Sequence, residues 1–173
     1  AGVAPRFTVW STSSSAGNST PRRPSTSSSE SVSQYARSVA ESLTAIEYAM
    51  FAKLRPSELQ DLAWMGPGGR QRAPNVSALT KRFNRVGYWT ATETMLAETV
   101  GCSHRRMIRF FIMVMKHLYD LRNFSSLMAT MAGLNNVSVA RLKPAWKRVG
   151  ALRDVRDQLE ALMAPQSNYR DYR

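Results

Sequence analysis

Cysteine and histidine are scarce in this chain of 173 residues. The single cysteine, Cys102, excludes an internal disulfide framework, and the two histidines, His104 and His117, do not complete a Cys/His zinc set with it. The longest uninterrupted apolar run, residues 110–115, is far shorter than the roughly 20 residues that cross a bilayer. We therefore expect no structural metal and a reducing, cytoplasmic setting.

Acidic residues are also few. The chain has 12 Asp and Glu residues and 24 Lys and Arg residues, which gives a net charge of +12. Such a surplus favours acidic partners, namely nucleic acid, an anionic membrane or an acidic protein surface. Charge alone does not choose among these partners. A basic all-α module that binds RNA or an anionic membrane is therefore one open interpretation, with the cations Arg105, Arg106, Arg109, Lys147 and Arg148.

Aliphatic residues are nearly absent from residues 11–33, where serine and threonine dominate. A stretch of this kind buries too little apolar surface to offset the entropy lost on ordering. We therefore predict a disordered Ser/Thr-rich linker over residues 1–33 and one folded domain over residues 34–173.

Sustained alternation with a period of two is absent beyond residue 34, and apolar residues recur with helical spacing instead. From residue 75 onwards an apolar stripe and a polar strip run side by side along one predicted helix. The stripe consists of Val76, Leu79, Phe83 and Val86. The polar strip consists of Ser77, Thr80, Lys81, Asn84 and Tyr88. We predict an all-α fold in which this strip is free to meet a partner.

The next predicted helix is apolar on nearly all sides, which is typical of a central, buried helix, and Ser103 is placed to cap it. Its methionines predict core packing, because no other soft metal ligands accompany them. A further helix is predicted to start at residues 125–126 and to end near Gly133. A last amphipathic helix is predicted after Gly150, ending before Pro165.

An enzyme is a third interpretation, since Cys102-Ser103-His104 places a nucleophile and a base close together. Adjacent positions do not establish a hydrogen-bonded pair, however, and no oxyanion site is visible in the sequence. We therefore predict no catalytic residue.

Several short motifs occur in an order that resembles the catalytic domain of Ras-family guanine-nucleotide exchange factors, of the Son-of-sevenless and Ral-exchange-factor type. The resemblance begins with the segment Leu-Thr-Ala-Ile-Glu at residues 43–47 and ends with Asn-Tyr-Arg-Asp-Tyr-Arg at residues 168–173. It is densest between residues 121 and 146, with Asn-Phe at 123–124, Gly-Leu-Asn at 133–135, Arg-Leu-Lys at 141–143 and Trp146.

This resemblance implies an orthogonal helical bundle shaped as a bowl that receives the switch II region of a Ras-, Rap- or Ral-type GTPase. In the family a helical hairpin that displaces switch I follows the last of these motifs. The resemblance thus implies a domain truncated before that hairpin, so that this fragment alone need not be active. An exchange factor of this kind performs no covalent chemistry and uses no cofactor, metal ion or nucleic acid. Peripheral contact with the inner face of the plasma membrane stays open.

The resemblance also implies site residues. Six residues fall where family members line the switch II surface: Thr80, Lys81, Asn84, Met128, Asn135 and Lys143. Five others are expected to hold the bowl together, since aromatic and leucine side chains at helical spacing are usually core residues. They are Phe124, Leu134, Arg141, Leu142 and Trp146.

Overall fold

The computed structural model describes residues 28–164, with side chains from residue 30 onwards. These residues form nine α-helices: α1 (Ser28–Phe51), α2 (Pro56–Leu59), α3 (Gly69–Arg72), α4 (Pro74–Met95), α5 (His104–Asp120), α6 (Phe124–Leu134), α7 (Val137–Ala140), α8 (Lys143–Lys147) and α9 (Leu152–Leu162). Short 3-10 turns follow α2 and α4, at Gln60–Leu62 and Ala97–Val100. No strand occurs in the described part of the chain, and the prediction of an all-α fold is confirmed.

Helix α1 begins at Ser28, inside the segment that we predicted to be disordered. Val32 and Val39 pack against the core, and the ring of Tyr35 stacks on Phe110 with 5.7 Å between ring centroids. These contacts offset the entropy of ordering the helix, which the abundance of serine concealed. The prediction of disorder is therefore wrong for residues 28–33, and residues 1–27 lie outside the described residues.

Helix α5 is the buried centre of the fold, as its apolar pattern predicts. Its buried residues are Ile108, Phe110, Phe111, Ile112, Val114, Met115 and Leu118. The predicted cap is present, since the Ser103 side chain accepts a hydrogen bond from the Arg106 amide at 3.4 Å. Helices α1, α6 and α9 pack around α5, so one central helix organises the others. Helix α9 follows Gly150 and ends at Leu162, again as predicted.

Helices α4 and α6 approach each other through two glycines, Gly87 and Gly133. A Cβ atom on Gly133 would lie 2.4 Å from the Gly87 carbonyl oxygen and 2.6 Å from the Thr90 Cβ. Any side chain at residue 133 would therefore enter the other helix. The prediction that this helix ends near Gly133 is confirmed, because α6 runs from Phe124 to Leu134 with its C-cap at Asn135. Gly133 itself lies within the helix and permits the contact with α4 instead of ending the helix.

The two helices run in the same direction. Thr90 of α4 faces Gly133 near the C-terminal end of α6. Nearer to the N-terminal ends, Arg82 of α4 interacts electrostatically with Glu47 of α1, and Ser126 of α6 donates a hydrogen bond to the same carboxylate. A parallel pair follows, with corresponding ends of α4 and α6 at the same level.

The N-terminus of α4 is capped from outside the helix by Glu58 of α2, which is only 2% exposed. Its carboxylate accepts hydrogen bonds from the backbone amides of Asn75 at 2.8 Å and Val76 at 3.2 Å, and from the Asn75 side chain at 2.6 Å. Burial alone would raise the pKa of Glu58, but these hydrogen bonds outweigh burial and hold the pKa below its ordinary value. The charged carboxylate thus fixes where α4 starts.

Replacing Gly133 by alanine tests the contact between α4 and α6. Helix propensity alone would favour alanine by about 1 kcal/mol, whereas overpacking against the Gly87 carbonyl should cost about 1–3 kcal/mol and reverse the sign. Urea unfolding followed by circular dichroism measures the difference. Gly87→Ala is the matched control with a smaller expected loss, because its Cβ would lie 3.2 Å from the nearest atom. A Gly133→Ala chain as stable as the wild type would contradict the contact.

Glu58→Gln is expected to lower stability at neutral pH and to flatten the acid limb of the stability profile. Because the folded-state pKa of Glu58 is lowered, its ionised form stabilises the fold above the ordinary value of 4.5, and this contribution is lost as the pH falls through the folded-state value. Urea unfolding between pH 7 and pH 3 should show the two proteins converging at low pH. Glu41→Gln, on the exposed side of α1, should leave the shape of the profile unchanged.

Candidate functional site

The exposed sides of α4 and α6 form a single face beside the contact between Gly87 and Gly133. When each helix is projected down its axis at 100° per residue, the exposed residues of α4 lie to one side of Gly87. The exposed residues of α6 lie to the opposite rotational side of Gly133. Because the helices are parallel, both rows lie on the same side of the contact, away from the core. We call this surface the α4–α6 face. Its residues are Thr80, Lys81, Asn84 and Tyr88 on α4 and Ser125, Met128 and Ala132 on α6.

Four of the six predicted switch II residues lie on the α4–α6 face. Thr80, Lys81 and Asn84 are exposed on α4, and Met128 is half-buried on α6. The Thr80 hydroxyl donates a hydrogen bond to the Val76 carbonyl at 3.0 Å, so its oxygen can still accept a hydrogen bond from a partner. Geometry brings these four together, while their role in binding a GTPase stays a prediction.

Asn135 lies at the C-terminal end of α6, and its side chain is bound to α9. The amide nitrogen donates to Glu160 at 2.9 Å, and the amide oxygen accepts from Arg156 at 2.8 Å. Arg156 also pairs with Glu160 at 3.0 Å and lies over the ring of Trp146, 5.1 Å from its centroid. Asn135 is therefore part of an internal network that joins the end of α6 to α8 and α9.

Lys143 is not brought beside the other predicted switch II residues. It is the exposed first residue of α8, and α8 packs mainly against α5. The sequence resemblance placed it on the same surface as Lys81, and its role stays a prediction without support from the described contacts.

A charged network lies behind the α4–α6 face. Ser126 of α6 donates to Glu47 of α1, and Asn123 donates to Thr44 of α1 at 3.0 Å. Arg82 is half-buried beside Glu47, and its Nε has no hydrogen-bond partner among the described residues. Burial lowers the pKa of the Arg82 guanidinium, and Glu47 opposes that shift. Sequence reasoning missed this network because its members come from three helices.

The RasGEF domain family matches residues 38–173. The chain is a member of the RasGEF domain family. It is 38% identical over 138 residues to Ras guanine nucleotide exchange factor A of Dictyostelium discoideum, an alignment that covers 78% of this chain and 22% of the relative. Ras guanine nucleotide exchange factor E of the same organism is 36% identical over 137 residues, covering 78% of this chain and 13% of the relative.

A human relative is more distant in sequence. The Ras-specific guanine nucleotide-releasing factor RalGPS2 of Homo sapiens is 31% identical over 134 residues, covering 75% of this chain and 23% of the relative. The chain thus spans less than a quarter of the length of these three proteins. Membership in the RasGEF family confirms the resemblance inferred from the motifs. The last of these motifs, at residues 168–173, lies outside the described residues.

Four of the five residues expected to support the RasGEF bowl are buried or half-buried: Phe124, Leu134, Leu142 and Trp146. Trp146 also donates from Nε1 to the Val139 carbonyl at 3.0 Å, which ties α8 to α7. Arg141 differs, because its side chain is exposed and lies outside the core, contrary to the prediction. The backbone of Arg141 takes part in the turn between α7 and α8, where its amide donates to the Val137 carbonyl and its carbonyl accepts from the Lys143 amide.

The described geometry does not support the enzyme interpretation. The ring of His104 contacts Glu98 through Nδ1 at 2.9 Å and a main-chain oxygen through Nε2 at 3.3 Å. Neither ring nitrogen is paired with Cys102, whose thiol points to the Ser103 carbonyl. Burial raises the pKa of the Cys102 thiol, with Arg106 opposing the shift, and a raised pKa disfavours the reactive thiolate.

Two further observations concern residues 28–164 alone. No group of three or more His, Cys, Asp and Glu side chains there could hold a metal ion. No helix in that range combines the length and the apolar character that crossing a membrane requires.

Coupling between Asn135 and Arg156 can be measured by a double-mutant cycle. Asn135→Ala and Arg156→Ala should each destabilise the fold, and the pair should cost less than the sum, with a coupling of roughly 0.5–1 kcal/mol for a largely exposed polar contact. Urea unfolding supplies the four values. Arg153 lies on α9, as Arg156 does, but has no described contact with Asn135. The effects of Asn135→Ala and Arg153→Ala should therefore be additive. Additivity in both pairs would contradict the network.

Proposed function

We propose that this RasGEF domain binds the switch II region of a Ras-superfamily GTPase on the α4–α6 face and thereby accelerates the release of GDP and the loading of GTP. The observation that supports the proposal best is the convergence of Thr80, Lys81, Asn84 and Met128 on one exposed face of a family member. Three of these residues come from one helix and the fourth from its parallel neighbour.

The mechanism is thermodynamic linkage. A protein that binds the nucleotide-free GTPase more tightly than the loaded form weakens nucleotide binding by the same factor. The nucleotide is held by Mg²⁺ and phosphate contacts that depend on ordered switch regions, so moving a switch removes those contacts. The exchange factor itself needs no nucleophile, general base or cofactor for this process.

The chemistry of the α4–α6 face suits a protein loop. Lys81 offers a cation for a carboxylate, and Asn84 offers both a donor and an acceptor. Tyr88 is 70% exposed, and tyrosine is among the side chains enriched in binding hot spots. Met128 adds a flexible apolar surface that adapts to a partner. This face therefore combines apolar groups that can anchor a bound loop with polar groups that can fix the position of the loop along the helices.

The names of the relatives support a GTPase of the Ras type, and the proposal extends to the related Rap and Ral types. Two relatives are called Ras guanine nucleotide exchange factors and one a Ras-specific guanine nucleotide-releasing factor. The proposal includes a cytoplasmic location, which a fluorescent fusion of the chain would test directly.

Lys81→Glu is expected to weaken binding to a nucleotide-free GTPase by about tenfold, which corresponds to roughly 1.4 kcal/mol, because it reverses a charge at the interface. Binding of the 173-residue chain to Ras, Rap and Ral would be measured with and without GDP, together with the release of a fluorescent GDP analogue. Circular dichroism of the variant checks that the helices are retained.

Arg105→Glu is the matched control, since Arg105 is an exposed cation on α5 and carries the same change of charge. It should leave GTPase binding at the wild-type value. The proposal fails if no member of the three GTPase types prefers the chain in its nucleotide-free form, or if Lys81→Glu and Arg105→Glu have equal effects.

A further inference from the structure

A cleft of about 420 Å³ opens between the N-terminal end of α5 and the segment around α8. Arg105 from α5 and Arg148 from the C-cap of α8 both line it, and Leu142, Pro144 and Ala145 form an apolar wall. A volume of this size lies within the range of roughly 300–1,000 Å³ that small-molecule sites occupy. The cleft therefore has room for a compact ligand, and each of two elements contributes one cation to its lining.

Neither arginine of the cleft is neutralised by an acid. Among the residues with described side chains, no ion pair involves Arg105 or Arg148, and both are exposed. Glu98 is the one acidic residue in the lining, and its carboxylate is already in contact with His104 at 2.9 Å. The two arginines are thus left without an acidic partner among the described residues.

The position of Arg148 is fixed by its neighbours. Arg109 of α5 donates a hydrogen bond to the carbonyl of Val149, the residue that follows Arg148. Lys143 and Lys147 are exposed on the same short helix, one turn apart. The segment that forms one side of the cleft therefore carries two further exposed cations and is fastened to the central helix.

We propose that this cleft binds the multiply phosphorylated headgroup of an anionic membrane lipid. Arginine binds phosphate oxygens through parallel N–H donors, so two arginines from different elements can hold separate phosphates. The exposed lysines around the cleft attract the anionic surface that carries the headgroup, and clusters of four to eight such cations are typical of lipid-binding surfaces. The apolar wall faces the uncharged part of the ligand.

The lining favours a lipid headgroup over RNA. Proteins that hold single-stranded nucleic acid stack its bases on aromatic side chains. Among the described residues that line the cleft there is no Phe, Tyr or Trp, and the imidazole of His104 is already held by Glu98 and the Met95 carbonyl. The cleft also has the size of a compact headgroup instead of a long groove that would follow a strand. RNA binding is accordingly an outcome that the experiment must exclude.

The cleft is separate from the α4–α6 face, so the inference does not depend on the proposed exchange function. Glu98 belongs to the 3-10 turn Ala97–Val100 that follows the C-terminal end of α4. Lys81 lies 14 residues before Met95, the last residue of α4, which is about 21 Å along the helix axis. A ligand in the cleft leaves the distant face free.

The test is co-sedimentation of the 173-residue chain with vesicles of phosphatidylcholine that contain phosphatidylinositol 4,5-bisphosphate. Vesicles with phosphatidylserine at equal total charge, soluble inositol trisphosphate and single-stranded RNA serve as comparisons. The wild type should prefer the bisphosphate vesicles, and soluble inositol trisphosphate should compete. Arg105→Glu with Arg148→Glu should weaken vesicle binding by about tenfold or more, given the contribution of each surface cation.

Lys81→Glu with Arg85→Glu is the control, since it changes the net charge equally on exposed residues of α4 and should leave vesicle binding intact. Arg105→Gln with Arg148→Gln gives a milder second variant. The two double variants at Arg105 and Arg148 should retain the helical signal and any GTPase binding of the wild type. Equal binding to phosphatidylserine vesicles, preference for RNA, or equal loss in the control pair would each overturn the proposal.

Discussion

The contact between Gly87 and Gly133 is the constraint on which the exposed surface depends. With no side chain at either position, the backbones of the parallel helices α4 and α6 come into close contact. That arrangement places the outer row of α4 and the outer row of α6 on the same side. A larger residue at 133 would separate the helices and spread the residues of the α4–α6 face apart, even though none of those residues would itself have changed.

Polar interactions from outside the pair complete the positioning of α4. Glu58 reaches from α2 to the first amides of α4, where its negative charge complements the helix dipole. Glu47 of α1 receives a hydrogen bond from Ser126 of α6 and lies close to Arg82 of α4. The helix is therefore held at its start by a cap and along its buried side by a charge shared among three helices. A rigid support of this kind would keep an exposed residue such as Lys81 in place, so that the proposed binding would order little of the protein and cost little entropy.

Local patterns predicted the helices and the polar strip of α4, because both depend on residues within a few positions of one another. The strip of Thr80, Lys81 and Asn84 is exposed as its periodicity indicates. Gly133 was misread because a glycine that ends a helix and a glycine that lets two helices touch look identical in sequence. The commitment of Asn135 to Arg156 and Glu160 spans 21 and 25 residues, a separation over which no periodicity carries information. The start of α1 was hidden for the same reason, since the stacking partner of Tyr35 is Phe110.

The two candidate surfaces divide the excess positive charge of the chain between different tasks. On the α4–α6 face a cation stands among amide, hydroxyl and thioether groups, so in the proposed complex charge would steer and orient the partner while apolar contact would supply affinity. In the cleft by α8 two unpaired arginines stand over an apolar wall, so charge itself supplies the affinity. Since one continuous helix of 22 residues, α4, links the regions of both surfaces, occupation of the cleft would fix the orientation of the face without any change of conformation. Membrane attachment would then act by restricting the orientations from which a partner on the same membrane approaches.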